Sequence, residues 1–461
     1  MSTIAAVATP DAVGGISVIR ISGEKSLEIA DKIFKNYAGK APSQMDGYTC
    51  AYGQIINDNN EKIDDVVLTV FRNPKSYTGE DVVEVSCHGG RYITKKILRM
   101  IYKYGAEPAQ GGEFTKRAFL NGKMSLTQAE AVMDIISSGG ESQLRYANAL
   151  KDGAVFRRIN KIKEGLVNIL ADLAAWADFP EEDVPEVKPE VLGAQIDRVV
   201  KDLTKTLDTY DHGRIVREGI NTVICGKPNV GKSTLMNCLS GYQRSIVTDI
   251  AGTTRDIIED TVEAGCVLLR LSDTAGIREA ENEAEKIGVE KSIKKIKEAE
   301  LVLAVFDISS SPDEEDERFI SELETYLKNG GKAICVLNKS DLTINKEALD
   351  RYSSVFNETV IISAANNVGG EEILKKAEAL YIDGSIDIHT DAIAFNARQY
   401  ASLCNASKYL KDAYKAIIEG VEVDISGTDM ELALSSLGQI DGRKVTEDIV
   451  SNIFARFCVG K

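Results

Sequence analysis

A multidomain chain, α+β at its N-terminus, α/β in its middle and helical on both sides of that middle, follows from three observations. Residues 1 to about 118 hold short β-like runs punctuated by glycine. Amphipathic helical spacing takes over near Gly112 and returns after Ser385. Between these helical parts, from about 217 to 382, apolar strand-like runs alternate with helix-like ones, the pattern of a mostly parallel sheet covered by helices. The length, 461 residues, is consistent with about three domains. The predicted domains are 1–118, a helical domain in two parts (119–216 and 383–461), and the inserted 217–382.

Composition narrows the class. Apolar residues make up 43%, enough for ordinary cores. Lys+Arg total 55 against 71 Asp+Glu, a formal charge of −16, so a bulk electrostatic grip on nucleic acid is not expected. Any RNA contact needs a local basic patch or a partner's surface. None of Cys50, Cys87, Cys225, Cys238, Cys266, Cys335, Cys404 and Cys458 forms a C-x-x-C pair, which predicts reduced thiols and a cytoplasmic protein. No signal-peptide pattern opens the sequence, and no apolar run approaches the ~20 residues that span a bilayer.

In the N-terminal part, 4–8, 16–21, 50–56, 66–71 and 82–87 read as strands and 26–34 and 92–104 as helices. Ser76-Tyr77-Thr78-Gly79-Glu80-Asp81 is a polar segment between strands. By themselves Arg20 and Glu84 read as a solvated strand face, and His88, before Gly89-Gly90, as a turn residue. From Gly112 the spacing predicts helices over 126–136, 143–150, 159–176 and 191–207. Phe179 to Pro185 breaks the run, and its acids read as a solvated loop. After Ser385, helices are expected over 392–418, 431–440 and 446–457. Thr446 would be the last one's N-cap, and Ile449, Ile453, Phe454 and Phe457 its core stripe.

The middle part carries the chemistry. Gly226-Lys227-Pro228-Asn229-Val230-Gly231-Lys232-Ser233 reads G-x-x-x-x-G-K-S, with a strand-like run before it and a helix-like run, from Thr234, after it. Unpaired backbone N–H groups of such a loop and helix start form an anion cradle for nucleotide phosphates. Lys232 is placed to reach the terminal phosphates and Ser233 to face Mg²⁺. Next come Thr248-Asp249-Ile250-Ala251-Gly252-Thr253-Thr254, then Asp273-Thr274-Ala275-Gly276 after a strand. A further strand ends in Asn338-Lys339-Ser340-Asp341, and another runs into Ser363-Ala364. The order selects guanine. The Asp341 carboxylate can accept from N1–H and N2–H₂, donors that adenine lacks. Thr254 can add a second hydroxyl to Mg²⁺, and Asp273 can hold the ion through water. Where Ras-like enzymes place a water-orienting Gln after D-T-A-G, this chain has Ile277, so another group must act, with Glu279, Glu281, Glu283 and Glu285 as candidates.

These motifs occur together with Thr3-Ile4-Ala5-Ala6-Val7-Ala8-Thr9-Pro10, Ser76–Asp81, the Gly112–Lys123 stretch, Asp178–Glu182 and a terminal Phe457-Cys458-Val459-Gly460-Lys461. In that combination the chain resembles the MnmE (TrmE) family of tRNA-modification GTPases. The resemblance implies an N-terminal tetrahydrofolate-binding and homodimer-forming domain, with Arg20, Glu84, Lys123 and Lys461 lining the folate pocket. It implies a Ras-like GTPase domain stimulated by K⁺, with the Asn229 side chain and the carbonyls of Thr248, Ile250 and Thr253 as ligands, and Glu285 as the acid that orients water. It also implies an FAD-containing MnmG (GidA) partner, with which an aminomethyl or carboxymethylaminomethyl group is added at C5 of the tRNA wobble uridine. Cys458 reads as a small thiol near the folate site, since no base is visible beside it. Ser363-Ala364-Ala365 departs from the family's Ser-Ala-Lys, which predicts weaker nucleotide affinity with guanine selectivity kept. The alternatives are an Era-like ribosome-assembly GTPase, against which stands the lack of a KH-like appendage, and a nucleotide-gated dimer without one-carbon chemistry.

Overall fold

The computed structural model describes residues 1–178, 188–242, 260–273, 295–382, 395–420, 423–440, 442, 446–455 and 457–460. It divides into two compact units, Met1–Met133 with Gly438–Lys461, and Asp134–Leu437.

The first unit is built on a seven-stranded sheet of β1 (Ile4–Val7), β2 (Ile16–Ser22), β3 (Phe34–Asn36), β4 (Thr49–Ile56), β5 (Lys62–Phe71), β6 (Val82–His88) and β7 (Glu107–Pro108). The order is β3-β4-β5-β6-β2-β1-β7, antiparallel except for the β1–β7 pair. Alternation along the strands decides the faces. Ile19, Ile21, Val66, Leu68, Val83 and Val85 turn inward and pack on Ile29 of the Ser26–Ile33 helix and Ile97 and Ile101 of the Arg91–Lys103 helix. Each such side chain contributes about 1.5–3 kcal/mol by leaving water. On the opposite face Tyr52 and Val67, cross-strand partners, are exposed. β3 and β7 were not expected, being three and two residues long and too short to show alternation.

A second core in this unit joins Leu126 and Ala129 to Val450, Phe454 and Phe457. It corrects the expected stripe, since Ile449 is 41% exposed and Val450 is buried in its stead. Thr446 stands at the N-cap of the Glu447–Phe454 helix, but its side chain makes no capping hydrogen bond.

In the second unit, helices from both sides of the nucleotide domain pack together. Pro189–Asp208 buries Leu192, Ile196, Val199 and Leu203 at helical spacing, and Ala397–Ile418 does the same with Leu403, Ala406, Leu410 and Ile417. Tyr210 and Tyr400 stack with centroids 3.7 Å apart. This is the arrangement a discontinuous helical domain requires. A further helix, Tyr210–Glu218, follows the one expected over 191–207, and the helix expected from Glu431 already begins at Val423.

The nucleotide domain's sheet contains β8 (Ile220–Cys225), β9 (Asp260–Ala264), β10 (Val267–Asp273), β11 (Leu301–Asp307), β12 (Lys332–Asn338) and β13 (Thr359–Ile361), in the order β13-β12-β11-β8-β10-β9. All neighbours are parallel except β9 and β10. The near-continuous apolar runs of β8, β11 and β12 follow from burial on both faces. β9 went unseen because it is a short edge strand, paired with β10 across Gly265-Cys266. The motifs at 179–187, 243–259 and 274–294 lie outside the described residues.

Candidate functional site

The C-terminal ends of β8, β11 and β12 come together where open α/β sheets bind ligands. β8 runs into the loop at Gly226, with φ +152°; a Cβ there would lie 2.3 Å from Val305 O. Asn229 holds φ 64°, and its side chain is exposed. Gly231 has φ +99°, and the helix Lys232–Tyr242 follows at once. Ser233 and Thr234 are exposed in its first turn, where orphan N–H groups favour anions. Lys232 Nζ donates to Gly226 O at 2.9 Å and Lys227 O at 2.8 Å.

Lys227 anchors the loop from outside. Its ammonium meets Asp313 at 2.6 Å and Asp316 at 2.8 Å. Burial alone would lower its pKa, but the two carboxylates outweigh that and raise it. Asp313 also caps the Glu314–Lys328 helix in a capping box with Asp316. No sequence motif pointed to this tie.

On the base side, Asn338 is buried and satisfied at both ends. Its Nδ2 donates to Val230 O at 2.8 Å, and its Oδ1 accepts from Ala364 N at 3.0 Å. One amide thus joins the phosphate loop to the Ser363-Ala364 loop. Truncating it would orphan buried groups at about 1–3 kcal/mol each. Lys339, at φ 67°, pairs with Asp307 at 2.6 Å. Burial would raise the Asp307 pKa, but hydrogen bonds from Lys339 and Ser309 hold the carboxyl below its ordinary range. Ser363 Oγ donates to Asp341 Oδ1 at 2.6 Å, fixing a carboxylate that otherwise faces solvent. Ala365, exposed in the short 3-10 turn Ala364–Asn366, leaves that rim without a Lys stem.

The structure therefore brings together Asn229, Val230, Gly231, Lys232, Ser233, Thr234, Asn338, Lys339, Asp341, Ser363 and Ala364. Asp273 ends β10 in register with Ile224, which sets its backbone beside the loop. Thr248, Asp249, Ile250, Ala251, Gly252, Thr253, Thr254, Thr274, Ala275, Gly276 and Glu285 lie outside the described residues. Ser233's hard oxygen suits Mg²⁺, and Asn229's amide oxygen suits an alkali cation.

A second cluster lies in the N-terminal unit. β2 and β6 pair Arg20 opposite Glu84, and Arg20 Nε donates to Glu84 Oε1 at 2.8 Å. The side chains are 16% and 25% exposed, which overturns the reading of a solvated face. The Arg20 guanidinium also lies 5.5 Å from the ring centroids of Tyr77 and Phe114, and it donates to Gly460 O at 3.3 Å. Burial pushes the Tyr77 hydroxyl's pKa up, and that hydroxyl meets Thr115 Oγ1 at 2.9 Å. The sequence does not predict either aromatic here: Tyr77 sits within the polar run 76–81, and Phe114 comes from the separate Glu113–Leu120 helix.

The C-terminal segment is tied down as well. Gly111 bridges Val459, Gly112 N donates to Cys458 O at 3.2 Å, and a Cβ on Gly460 would lie 2.3 Å from Val7 O. Lys123 Nζ reaches Pro74 O at 3.0 Å, on the same loop as Tyr77. Lys461 lies outside the described residues. Arg117, 4% exposed, bridges Glu80 and Glu113 and so locks Ser76–Asp81 to the Glu113–Leu120 helix. His88, at the end of β6, bonds Asp64 Oδ1 at 2.6 Å.

Known proteins match both units. The sequence pattern of the GTP-binding protein TrmE N-terminus covers residues 3–123, and that of the MnmE helical domain covers 126–458. The tRNA modification GTPase MnmE of Clostridioides difficile (strain 630) is 42% identical over 462 residues, covering 100% of this chain and 99% of that protein.

The chain belongs to the MnmE family.

The MnmE of Thermoanaerobacter pseudethanolicus is 41% identical over 461 residues, with the same coverage of 100% and 99%. Among solved structures, a variant of Aquifex aeolicus Era bound to GDP.AlF4- is 28% identical over 41% of this chain and 66% of that one, with a TM-score of 0.27. In this MnmE-family chain all eight cysteines are free thiols. Among the described residues no helix is long and apolar enough to cross a membrane.

Proposed function

We propose that the chain is a K⁺-stimulated GTPase. With an FAD-containing MnmG-type partner it adds an aminomethyl or carboxymethylaminomethyl group to C5 of the tRNA wobble uridine. The observation that carries the GTPase part is the Asn338 amide holding the phosphate loop against the loop that fixes Asp341, in a chain of this family. Lys232, Ser233 and the helix start hold the phosphates, and Ser233 with Thr254 holds Mg²⁺. Asn229 and the carbonyls of Thr248, Ile250 and Thr253 hold K⁺, which supplies positive charge against the phosphates during transfer. Glu285 orients water in place of the Gln that Ile277 replaces.

Turnover measured in KCl and NaCl at equal ionic strength tests this. Wild type is expected to be about tenfold or more faster in K⁺. Glu285→Ala should turn over slowly in both salts with GTP affinity kept. Equal rates in the two salts would remove Asn229 as a cation ligand, and a fall in affinity alone would make Glu285 structural.

The N-terminal cluster is the proposed tetrahydrofolate site, and the folate supplies the one-carbon unit. Half-buried Tyr77 offers an apolar wall, fully buried Phe114 backs the Arg20 guanidinium, Arg20 and Glu84 offer a fixed donor and acceptor, and Gly460 closes against β1. Lys123 and Lys461 complete the set by family match. Equilibrium dialysis with 5-formyl-tetrahydrofolate should show Arg20→Ala weakened about 10- to 100-fold, the worth of a charge-assisted hydrogen bond. Undiminished binding would move the site elsewhere. Tyr37, Tyr52 and Val67, exposed on one side of β3–β5, support self-association through this unit.

A further inference from the structure

In a chain of net charge −16, the helix Arg91–Lys103 contains Arg91, Lys95, Lys96, Arg99 and Lys103 and no acid among its 13 residues. Its Ile97 and Ile101 are buried against the sheet, which turns Arg91, Lys95, Arg99 and Lys103 to solvent and leaves Lys96 half-buried at their side. Arg91, Lys95, Arg99 and Lys103 stand four residues apart and so form one row on the helix. At about 1.5 Å per residue the row runs about 18 Å. The side chains of Arg91, Lys95 and Lys103 are 60%, 61% and 61% exposed.

The acids nearby do not cancel the row. Asp11 lies 3.5 Å from Arg91 and 3.9 Å from Lys95, and Asp58 pairs with Lys103. Lys96 and Arg99 make no ion pair among the described residues. Tyr92 is 77% exposed, with its ring centroid 6.0 Å from Lys96 Nζ. A shallow groove of about 520 Å³ lies among these side chains.

We propose that this helix face grips the phosphate backbone of the RNA substrate, with Tyr92 stacking on an unpaired base beside the row. The proposal rests on the tRNA reading above and supplies the local basic patch that an acidic chain needs for it. Clustered cations beside an exposed aromatic ring are the elements by which single-stranded nucleic acid is held. A helix lying on anionic lipid would show apolar residues beside its cations, whereas here Ile97 and Ile101 are committed to the core. A second copy would set like charge against like. Exposed Tyr52 and Val67 lie on the other side of the sheet, so pairing there leaves the row open.

Anisotropy of a labelled tRNA transcript with the full-length chain, from 50 to 200 mM KCl, tests this. Lys96→Glu with Arg99→Glu should weaken binding about tenfold or more, and should flatten the slope of log affinity against log salt by about 1.5, the share of two phosphates. Tyr92→Ala should lose about tenfold at unchanged salt slope, with Tyr92→Phe near wild type. GTP turnover and melting temperature should hold in all of them. Three results would overturn the proposal: wild type that binds no tRNA at 50 mM KCl, a double variant with unaltered affinity and slope, or a double variant that loses only binding to phosphatidylglycerol vesicles. The tRNA reading is checked apart, by wobble-uridine modification in a strain lacking the chain. Retained modification sinks that reading, whereas lost modification together with unaltered tRNA binding by the double variant sinks the helix alone.

Discussion

Asp341→Asn is expected to turn the nucleotide preference from GTP to xanthosine triphosphate, a swing of about 10⁴-fold in relative affinity. The carboxylate has acceptors only, and guanine offers N1–H and N2–H₂ to it. An Asn presents an NH₂ in place of one oxygen, which faces the guanine donors with a donor but meets the 2-carbonyl of xanthine with a partner. Ser363 Oγ, 2.6 Å from Asp341 Oδ1, fixes the carboxylate's position, so the exchange should act on the base and not on the fold. Competition of each triphosphate against a fluorescent GTP analogue measures it. A variant that keeps its GTP preference would remove Asp341 from base recognition and with it the guanine assignment.

Gly231→Val should abolish nucleotide binding for a different reason, by a fall of about a hundredfold or more. At φ +99° a side chain is strained by about 1–2 kcal/mol. The added Cβ would also lie 2.3 Å from Asn338 Nδ2. Asn338 then has to leave Val230 O and Ala364 N, and each orphaned buried partner costs about 1–3 kcal/mol. The damage falls on the phosphate loop and the base loop at once, because one amide serves both. Titration calorimetry with GTP and a melting curve read it out. Gly241→Ala, where a Cβ meets open space, is the control and should bind as wild type. If Gly231→Val binds within about threefold of wild type, the Asn338 bridge is not what holds the site together.

Local sequence carried much of the nucleotide domain. A G-x-x-x-x-G-K-S run between strand and helix, and an N-K-x-D run after a strand, are contiguous segments whose chemistry is written in adjacent residues. Their positions at the strand ends follow from chain connectivity in a parallel sheet. The edge strand β9 and the short β3 and β7 were missed because two to five residues give too few alternations to separate from loop. The candidate residues within 243–259 and 274–294 rest on the sequence alone.

What the sequence by itself determined is membership in a GTPase family, by motifs spread from Thr3 to Lys461, and with it the expectation of a phosphate cradle and a carboxylate placed to read guanine. What only the tertiary structure decided is which distant groups share a bond. Arg20 and Glu84 read as solvent-facing in isolation because an alternating strand does not say what stands opposite; the β2–β6 register does. Tyr77, Phe114 and Gly460 reach Arg20 from three separate segments, and Asn338 reaches Val230 across 108 residues. Residue type sets what a side chain can bond, but pairing register and loop packing, which are non-local, set what it does bond.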